Sequence, residues 1–401
     1  MAAKRAGRVA VAAMVTATAM AAEPATPAPG RAPTADDRIV ALGDSITDGN
    51  TYPQILMQAL REAGRPVPVV VCAGVASDTA AQMAARFEQD VLRFQPTVVT
   101  VSAGTNDAHR GVTDEAYEAA LRAICERGRA AGALMVLLTP CVIEPREGAD
   151  EAATQKAREL DDRVLGFEKV VRRLAAEFAC PVAECNRRMR EARDRGVKIM
   201  AGDGIHPDYM GQSLMARAIL DALACTEVAL PKEFQPRLFP DVVRSWRMRL
   251  APLGEDKKPV RLTEASAATL DPDAAWVEYR LPDAVPAGAP GADDWREQCR
   301  RNGFGLQVQA AVGKGLVQAV AFLDEAAPRK AFINTGIGVS TVWLNGRKLH
   351  EQGGRWTGYH AGKERLPVEL AAGRNRLVLE VEGNDFFLSL TDTLVWETAL
   401  R

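Results

Sequence analysis

The stretch Ile39-Val40-Ala41-Leu42-Gly43-Asp44-Ser45-Ile46-Thr47-Asp48-Gly49 decides how the first half of this 401-residue chain folds. Its first four residues are apolar and read as a short buried strand. A helical pattern begins just beyond it, near Tyr52. Ser45 therefore falls where a strand ends and a helix is about to begin. The flanking glycines allow a sharp turn, and free N–H groups near a helix start can face an anion. Gly-Asp-Ser is also ordinary turn chemistry, so the stretch alone leaves both readings open.

Working outward, the same texture repeats. Strands are expected at Ile39 to Leu42, Val67 to Cys72, Thr97 to Ser102, Leu134 to Thr139 and around Val182. Helices are expected at Tyr52 to Ala63, Thr79 to Phe94, Asp114 to Ala131, Gln155 to Phe178, Arg187 to Asp194 and Met210 to Ala224. Met83, Phe87, Val91 and Phe94 form one apolar stripe on the second helix. The unbroken β-branched run at Val67 to Cys72 marks a strand buried on both faces. Alternating strands and helices predict an α/β fold, a parallel sheet with helices on both faces. The active edge of such a sheet is at the carboxyl ends of its strands.

After Cys225 the pattern changes. Residues 226–260 are rich in Pro and Arg and read as an irregular connector. From 261 short alternating runs follow, among them Trp276 to Leu281, Leu316 to Leu323, Ala331 to Thr335, Ser340 to Leu344 and Arg376 to Val381. Asn345-Gly346 between two such runs signals a tight hairpin. Residues 261–401 are expected to be an all-β sandwich.

Hydrophobic residues make up 47% and charged residues 25% of the chain, with a net charge of −2. That balance suits a globular protein and carries no electrostatic footprint for nucleic acid or a membrane surface. Residues 1–21 read as a signal peptide: Lys4, Arg5 and Arg8, then the apolar Val9 to Ala19, then small residues at the cleavage position. No apolar run is long enough to span a membrane. Residues 22–36 are a Pro/Ala-rich linker. Export, periplasmic or extracellular, is the expectation. Of the seven cysteines, Cys72 and Cys141 fall in apolar runs and act as small hydrophobes. Cys180 and Cys185 are close enough to pair across a loop. The spacings suggest no metal site, and no cofactor is expected.

A serine nucleophile needs a base, a group to orient the base and donors for the oxyanion. The α/β half offers two histidines. His206 lies in Ala201-Gly202-Asp203-Gly204-Ile205-His206-Pro207-Asp208, a loop before the last helix. Asp203, three residues earlier, can approach it on a tight turn. His109 is the rival, with no carboxylate at a comparable spacing. Asn106, in Gly104-Thr105-Asn106-Asp107 after the third strand, brings an amide donor to the same edge. Gly74, after the second strand, has no side chain to keep its N–H from a substrate oxygen. Each motif also has a plain reading as a turn or surface loop.

Together, Gly43-Asp44-Ser45, Gly74, Gly104-Thr105-Asn106-Asp107 and Asp203-Gly204-Ile205-His206 resemble the four ordered blocks of the SGNH (GDSL-type) hydrolase family. The resemblance covers residues 37–225. It implies Ser45 as nucleophile, His206 as base and Asp203 as its orienter. It also implies an oxyanion hole of the Ser45 N–H, the Gly74 N–H and the Asn106 side chain. The second block often reads Asn-x-Gly-x-x-Gly in that family. Here Cys72 and Ser77 replace its first Asn and second Gly. The run from Val342 through Asn345-Gly346 to Leu349, and that from Val368 through Gly373 and Asn375 to Leu379, resemble galactose-binding-like jelly rolls. Trp343, Trp356 and Tyr359 are candidate sugar-stacking residues there, or core.

The expected activity is an exported serine esterase removing O-acetyl groups from carbohydrate, with a small-molecule or glycan ester as its partner. Two alternatives stay open. One is a lysophospholipase or thioesterase using the same triad. The other is a glycan-binding protein with an idle hydrolase fold.

Overall fold

A computed structural model describes residues 30–235, 241–280, 306–336, 338–352, 364–383 and 385–392. Residues 1–21, Trp356 and Tyr359, singled out above, lie outside the described residues, as does the seventh cysteine, Cys299.

Five strands form a parallel sheet in the order β2-β1-β3-β4-β5. They are β1 (Arg38–Gly43), β2 (Val69–Gly74), β3 (Val98–Val101), β4 (Leu134–Leu138) and β5 (Val182–Ala183). The side chains of β1 alternate between two cores. Val40 and Leu42 join Phe87, Tyr117, Leu121 and Phe167 on one face. Ile39 and Ala41 join Ile55, Leu60, Met215 and Ile219 on the other. This period of two, with both faces covered, is why the strands read as continuous apolar runs. Phe167 is fully buried against Tyr117, ring centroids 4.3 Å apart. Its truncation to alanine costs about 3–5 kcal/mol.

The helices arrive close to their expected places, with one correction. The expected helix from Thr79 to Phe94 is broken into α3 (Ala80–Ala85), α4 (Phe87–Asp90) and a 3-10 turn (Leu92–Phe94). The apolar stripe survives, since Met83, Phe87, Val91 and Phe94 are all buried. The break falls at Arg86, which turns inward to buried acceptors. Two further short helices were not anticipated: α1 (Ser45–Asp48) and α5 (Thr105–His109). Both begin at the carboxyl ends of strands. α6 (Asp114–Ala130), α7 (Glu151–Glu177), α8 (Cys185–Asp194) and α9 (Tyr209–Ala222) complete the layers with α2 (Thr51–Glu62). No helix among the described residues is long and apolar enough to cross a membrane.

The remaining strands are antiparallel. A six-stranded sheet and a three-stranded sheet share one hydrophobic core, in which Met248, Val317, Ile333, Val342, Leu379 and Leu388 meet. The segment expected to be an irregular connector contains β6 (Ser245–Leu250), which pairs with the strand Val317–Glu325. Its alternating burial, with Trp246 and Met248 inside, is an ordinary strand pattern. The Asn345-Gly346 turn joins Val339–Leu344 to Arg347–Glu351 as expected, with φ of 51° and 84°. Positive φ at both central residues suits the twist of a two-residue hairpin. Trp343 is 2% exposed and packs with Trp276 and Val378, so it is core and not a sugar platform. From the strand Glu364–Leu370, the Arg365 guanidinium lies over the Phe94 ring at 4.0 Å. Phe94 precedes β3, so this contact is at the strands' amino ends, away from Ser45.

The six described cysteines are all free and buried. Cys180 and Cys185 do not pair. The thiol beside Cys180 is Cys125, which the helix α6 brings near from 55 residues away in sequence.

Candidate active site

β1 is the second strand of the sheet, with the edge strand β2 on one side and β3 on the other. The connections from its neighbourhood diverge there, and the crevice outside the carboxyl ends is where such sheets bind ligands. Ser45 follows β1 directly and is the first residue of α1. Asp44 caps that helix, its carboxylate accepting the Ile46 N–H at 3.0 Å.

α1 packs tightly onto the strand ends. A Cβ on Gly74 would sit 2.2 Å from the Asp48 backbone nitrogen. Glycine is therefore required at position 74 for the nucleophile turn to fit.

The loop before α9 is pinned from several sides. Met200 bridges to Pro207, the Ala201 N–H donates to the His206 carbonyl at 2.8 Å, and the Glu144 N–H donates to the Gly204 carbonyl at 2.9 Å. Asp208 caps α9 by accepting the Gly211 N–H. The loop thus holds His206 over Ser45. The His206 Nε2 lies 2.8 Å from the Ser45 Oγ. Its Nδ1 lies 2.6 Å from the Asp203 Oδ2. The other oxygen of Asp203 accepts the Ile205 and His206 N–H groups at 2.9 and 3.0 Å. Partial burial pushes the Asp203 carboxyl up, but these hydrogen bonds outweigh it and hold it down at about 2. An ionised Asp203 fixes Nδ1 as the donor and leaves Nε2 to accept the serine proton. Such a chain can activate a serine hydroxyl as a nucleophile at neutral pH.

Asn106 enters from α5. Its Nδ2 donates to the Asp44 Oδ2 at 3.1 Å and to the Asp78 carbonyl at 3.1 Å. Both amide hydrogens are thus engaged, so an incoming oxygen must displace one of these acceptors. Asp44 and Asp107 are both buried, and burial pushes each carboxyl up to about 6. Asp107 accepts the Ala80 N–H, tying α5 to the start of α3.

His109 stands exposed at the last turn of α5. Among the described residues it has no carboxylate partner. Although the residue is open to solvent, partial desolvation by its neighbours, then the charges of Lys156 and His206, push its imidazole pKa down. Two residues of the neighbourhood were given no role from the sequence. Ser77 adopts φ of 70°, a left-handed conformation rare for serine. It stands where the family pattern has its second glycine, and that departure was the available signal. The other is Arg86, for which the linear pattern gave none. Among the described residues no group of three or more His, Cys, Asp or Glu is arranged to hold a metal ion.

Residues 41–214 match the GDSL-like lipase/acylhydrolase family. An acetylxylan esterase of Geobacillus stearothermophilus is 25% identical over 211 residues, spanning 46% of this chain and 92% of that protein. A crystal structure of an acetylxylan esterase from the same organism superposes with a TM-score of 0.40 at 23% identity, covering 47% of this chain and 94% of the other. An alpha/beta hydrolase enzyme from the metagenome of Lake Arreo, Spain, gives a TM-score of 0.41 at 25% identity, covering 48% and 97%. Residues 41–214 are a domain of the GDSL-like lipase/acylhydrolase (SGNH) family, and the protein is a carboxylic ester hydrolase.

Proposed function

We propose that the chain is an exported serine esterase that removes O-acetyl groups from carbohydrate. The observation that carries the reaction is the continuous chain from the Ser45 Oγ through His206 to Asp203, at 2.8 and 2.6 Å. Ser45 attacks the ester carbonyl while His206 Nε2 takes its proton. Asp203 stays ionised and stabilises the imidazolium. His206 then returns the proton to the leaving alcohol. Water repeats the cycle on the acetyl-Ser45 ester, releasing acetate.

The oxyanion is received by the Ser45 N–H, the Asn106 amide and a backbone N–H of the 74–77 loop. The family resemblance assigns that last donor to Gly74. Ser77 competes for the role, because its left-handed turn precedes Asp78, whose carbonyl already receives Asn106. Support for the substrate comes from the acetylxylan esterase similarity, and for export from the composition of residues 1–21. In this reading residues 37–225 form the hydrolase unit, and β6 belongs to the antiparallel unit that follows. That second unit touches the strands' amino ends through Arg365, a contact that does not line the Ser45 crevice.

A series of p-nitrophenyl esters, together with acetate release from a panel of acetylated glycans, tests the proposal. Fastest turnover of acetate, with acetate released from at least one glycan, is expected. Fastest turnover of octanoate or longer esters overturns the acetyl reading in favour of a lysophospholipase or thioesterase. Glycan binding with no turnover of any ester overturns catalysis itself.

A further inference from the structure

Arg86 is 3% exposed, and it interrupts an otherwise continuous amphipathic helix to reach the interior. Its Nη2 donates to the Gly43 carbonyl at 2.8 Å. Its Nη1 donates to the Ala73 carbonyl at 2.8 Å and to the Asp90 carboxylate at 3.2 Å. Its Nε donates to the Asp78 carboxylate at 2.5 Å. Gly43 is two residues before Ser45. Ala73 is the residue before Gly74. Asp78 follows Ser77, and its own carbonyl accepts from Asn106. One planar guanidinium therefore fastens the end of β1, the end of β2 and the loop beyond β2 to a single point.

Burying such an ion pair is a poor way to gain stability, because desolvation offsets most of the attraction. What a rigid fork of five donors supplies is fixed geometry. Preorganised donors must lie within a few tenths of an ångström of the developing oxyanion to act on it. We propose that Arg86 is a positioning residue for the ester hydrolysis, setting the relative placement of the Ser45 turn, the 74–77 loop and Asn106. The proposal rests on the oxyanion assignment above. Lysine at this position keeps the charge but presents one compact ammonium, which cannot reach both carbonyls and both carboxylates as the fork does.

The test uses the full chain and compares Arg86→Lys, Asp78→Asn and Asn106→Ala with wild type. Circular dichroism establishes folding. Steady-state kinetics on p-nitrophenyl acetate and inhibition by a trifluoromethyl ketone, a mimic of the tetrahedral intermediate, supply the readouts. Loss of an oxyanion donor outright lowers kcat about 10²–10³-fold, which is the expectation for Asn106→Ala. For folded Arg86→Lys, kcat falls about 10–100-fold, KM stays within about twofold, and ketone affinity weakens by the same factor as kcat/KM. A purely structural role instead lowers the melting temperature and leaves these constants of the folded protein unchanged.

Folded Arg86→Lys with wild-type kcat and ketone affinity, beside a crippled Asn106→Ala, overturns the role of Arg86 alone. An unimpaired Asn106→Ala overturns the oxyanion reading on which it rests. Should Arg86→Lys not fold, Asp78→Asn decides. It keeps the backbone carbonyl and a side-chain acceptor while loosening the fork. A matched loss of about threefold or more in kcat and ketone affinity supports the proposal, and no loss overturns it.

Discussion

Replacing Asp44 by asparagine pits two effects of similar size against each other. Asp44 is 2% exposed and accepts the Ile46 N–H and the Asn106 amide on its two oxygens. The amide of Asp44→Asn keeps one acceptor, so its NH₂ must face a donor. Leaving that buried donor without an acceptor costs about 1–3 kcal/mol. Against that stands the cost of ionising a buried acid. The carboxyl is pushed from 3.8 up to about 6, first by burial and further by the charges of Asp107 and Asp78, with the Ile46 N–H and His206 opposing. At about 1.36 kcal/mol per unit this is on the order of 3 kcal/mol.

The folded state holds this proton more tightly than the unfolded chain does. Its contribution to stability is full below pH 4 and is lost as pH rises through about 6. The variant has no such loss. Above pH 6 the two proteins should melt at similar temperatures. At pH 4 the offset is gone, and the variant should melt several degrees lower, at roughly 2–4 °C per kcal/mol for a unit of this size. Asp107 titrates in the same window in both proteins, so the difference reports Asp44 together with its coupling to Asp107. Meanwhile kcat should fall at least about tenfold, because Asn106 is turned from its place. Melting curves from pH 4 to 8 and kinetics at pH 8 check both arms. A melting gap independent of pH, or kcat within twofold of wild type, would show that Asp44 neither titrates near 6 nor holds Asn106 in place.

Further outcomes follow from the same geometry. Asp203→Ala should lower kcat by about 10²–10⁴ with a smaller effect on KM, since the imidazole loses its orienting carboxylate. His206→Ala should abolish turnover while His109→Ala keeps most of it, and initial rates at neutral pH distinguish them; the opposite pattern reverses the choice of base. Ser77→Gly should keep activity and stabilise the protein by about 0.5–1 kcal/mol, by relieving a left-handed serine. Ser77→Val should destabilise it by about 1–2 kcal/mol, both read from chemical denaturation.

The parallel sheet and the placement of Ser45, Asp203 and His206 were legible because each depends on local chemistry. Apolar runs mark the strands, and three of the four functional loops directly follow one, while the loop holding Asp203 and His206 follows α8 and is marked by its own Gly-rich, polar sequence. What escaped depends on contacts between distant segments. Arg86 looks like a solvated residue within a helical pattern; only acceptors from β1 and β2 draw it inside and break the helix. Ser77 was marked as a departure from the family pattern, but its left-handed φ is set by the folded loop. The nearness of Cys125 and Cys180 comes from the packing of α6 beside α7 and its following turn, which no spacing announces. β6 is a different case. Its alternation of Trp246 and Met248 with Arg247 and Arg249 was present in the sequence, hidden by the surrounding proline and arginine.

In the proposed mechanism Ser45 is the nucleophile, activated by His206. Labelling the full chain with a fluorophosphonate, followed by intact-mass measurement and peptide mapping, tests it most directly. One adduct per chain is expected, located on Ser45, absent from Ser45→Ala and formed far more slowly in His206→Ala. An adduct on another residue, or undiminished labelling of Ser45→Ala, would contradict it.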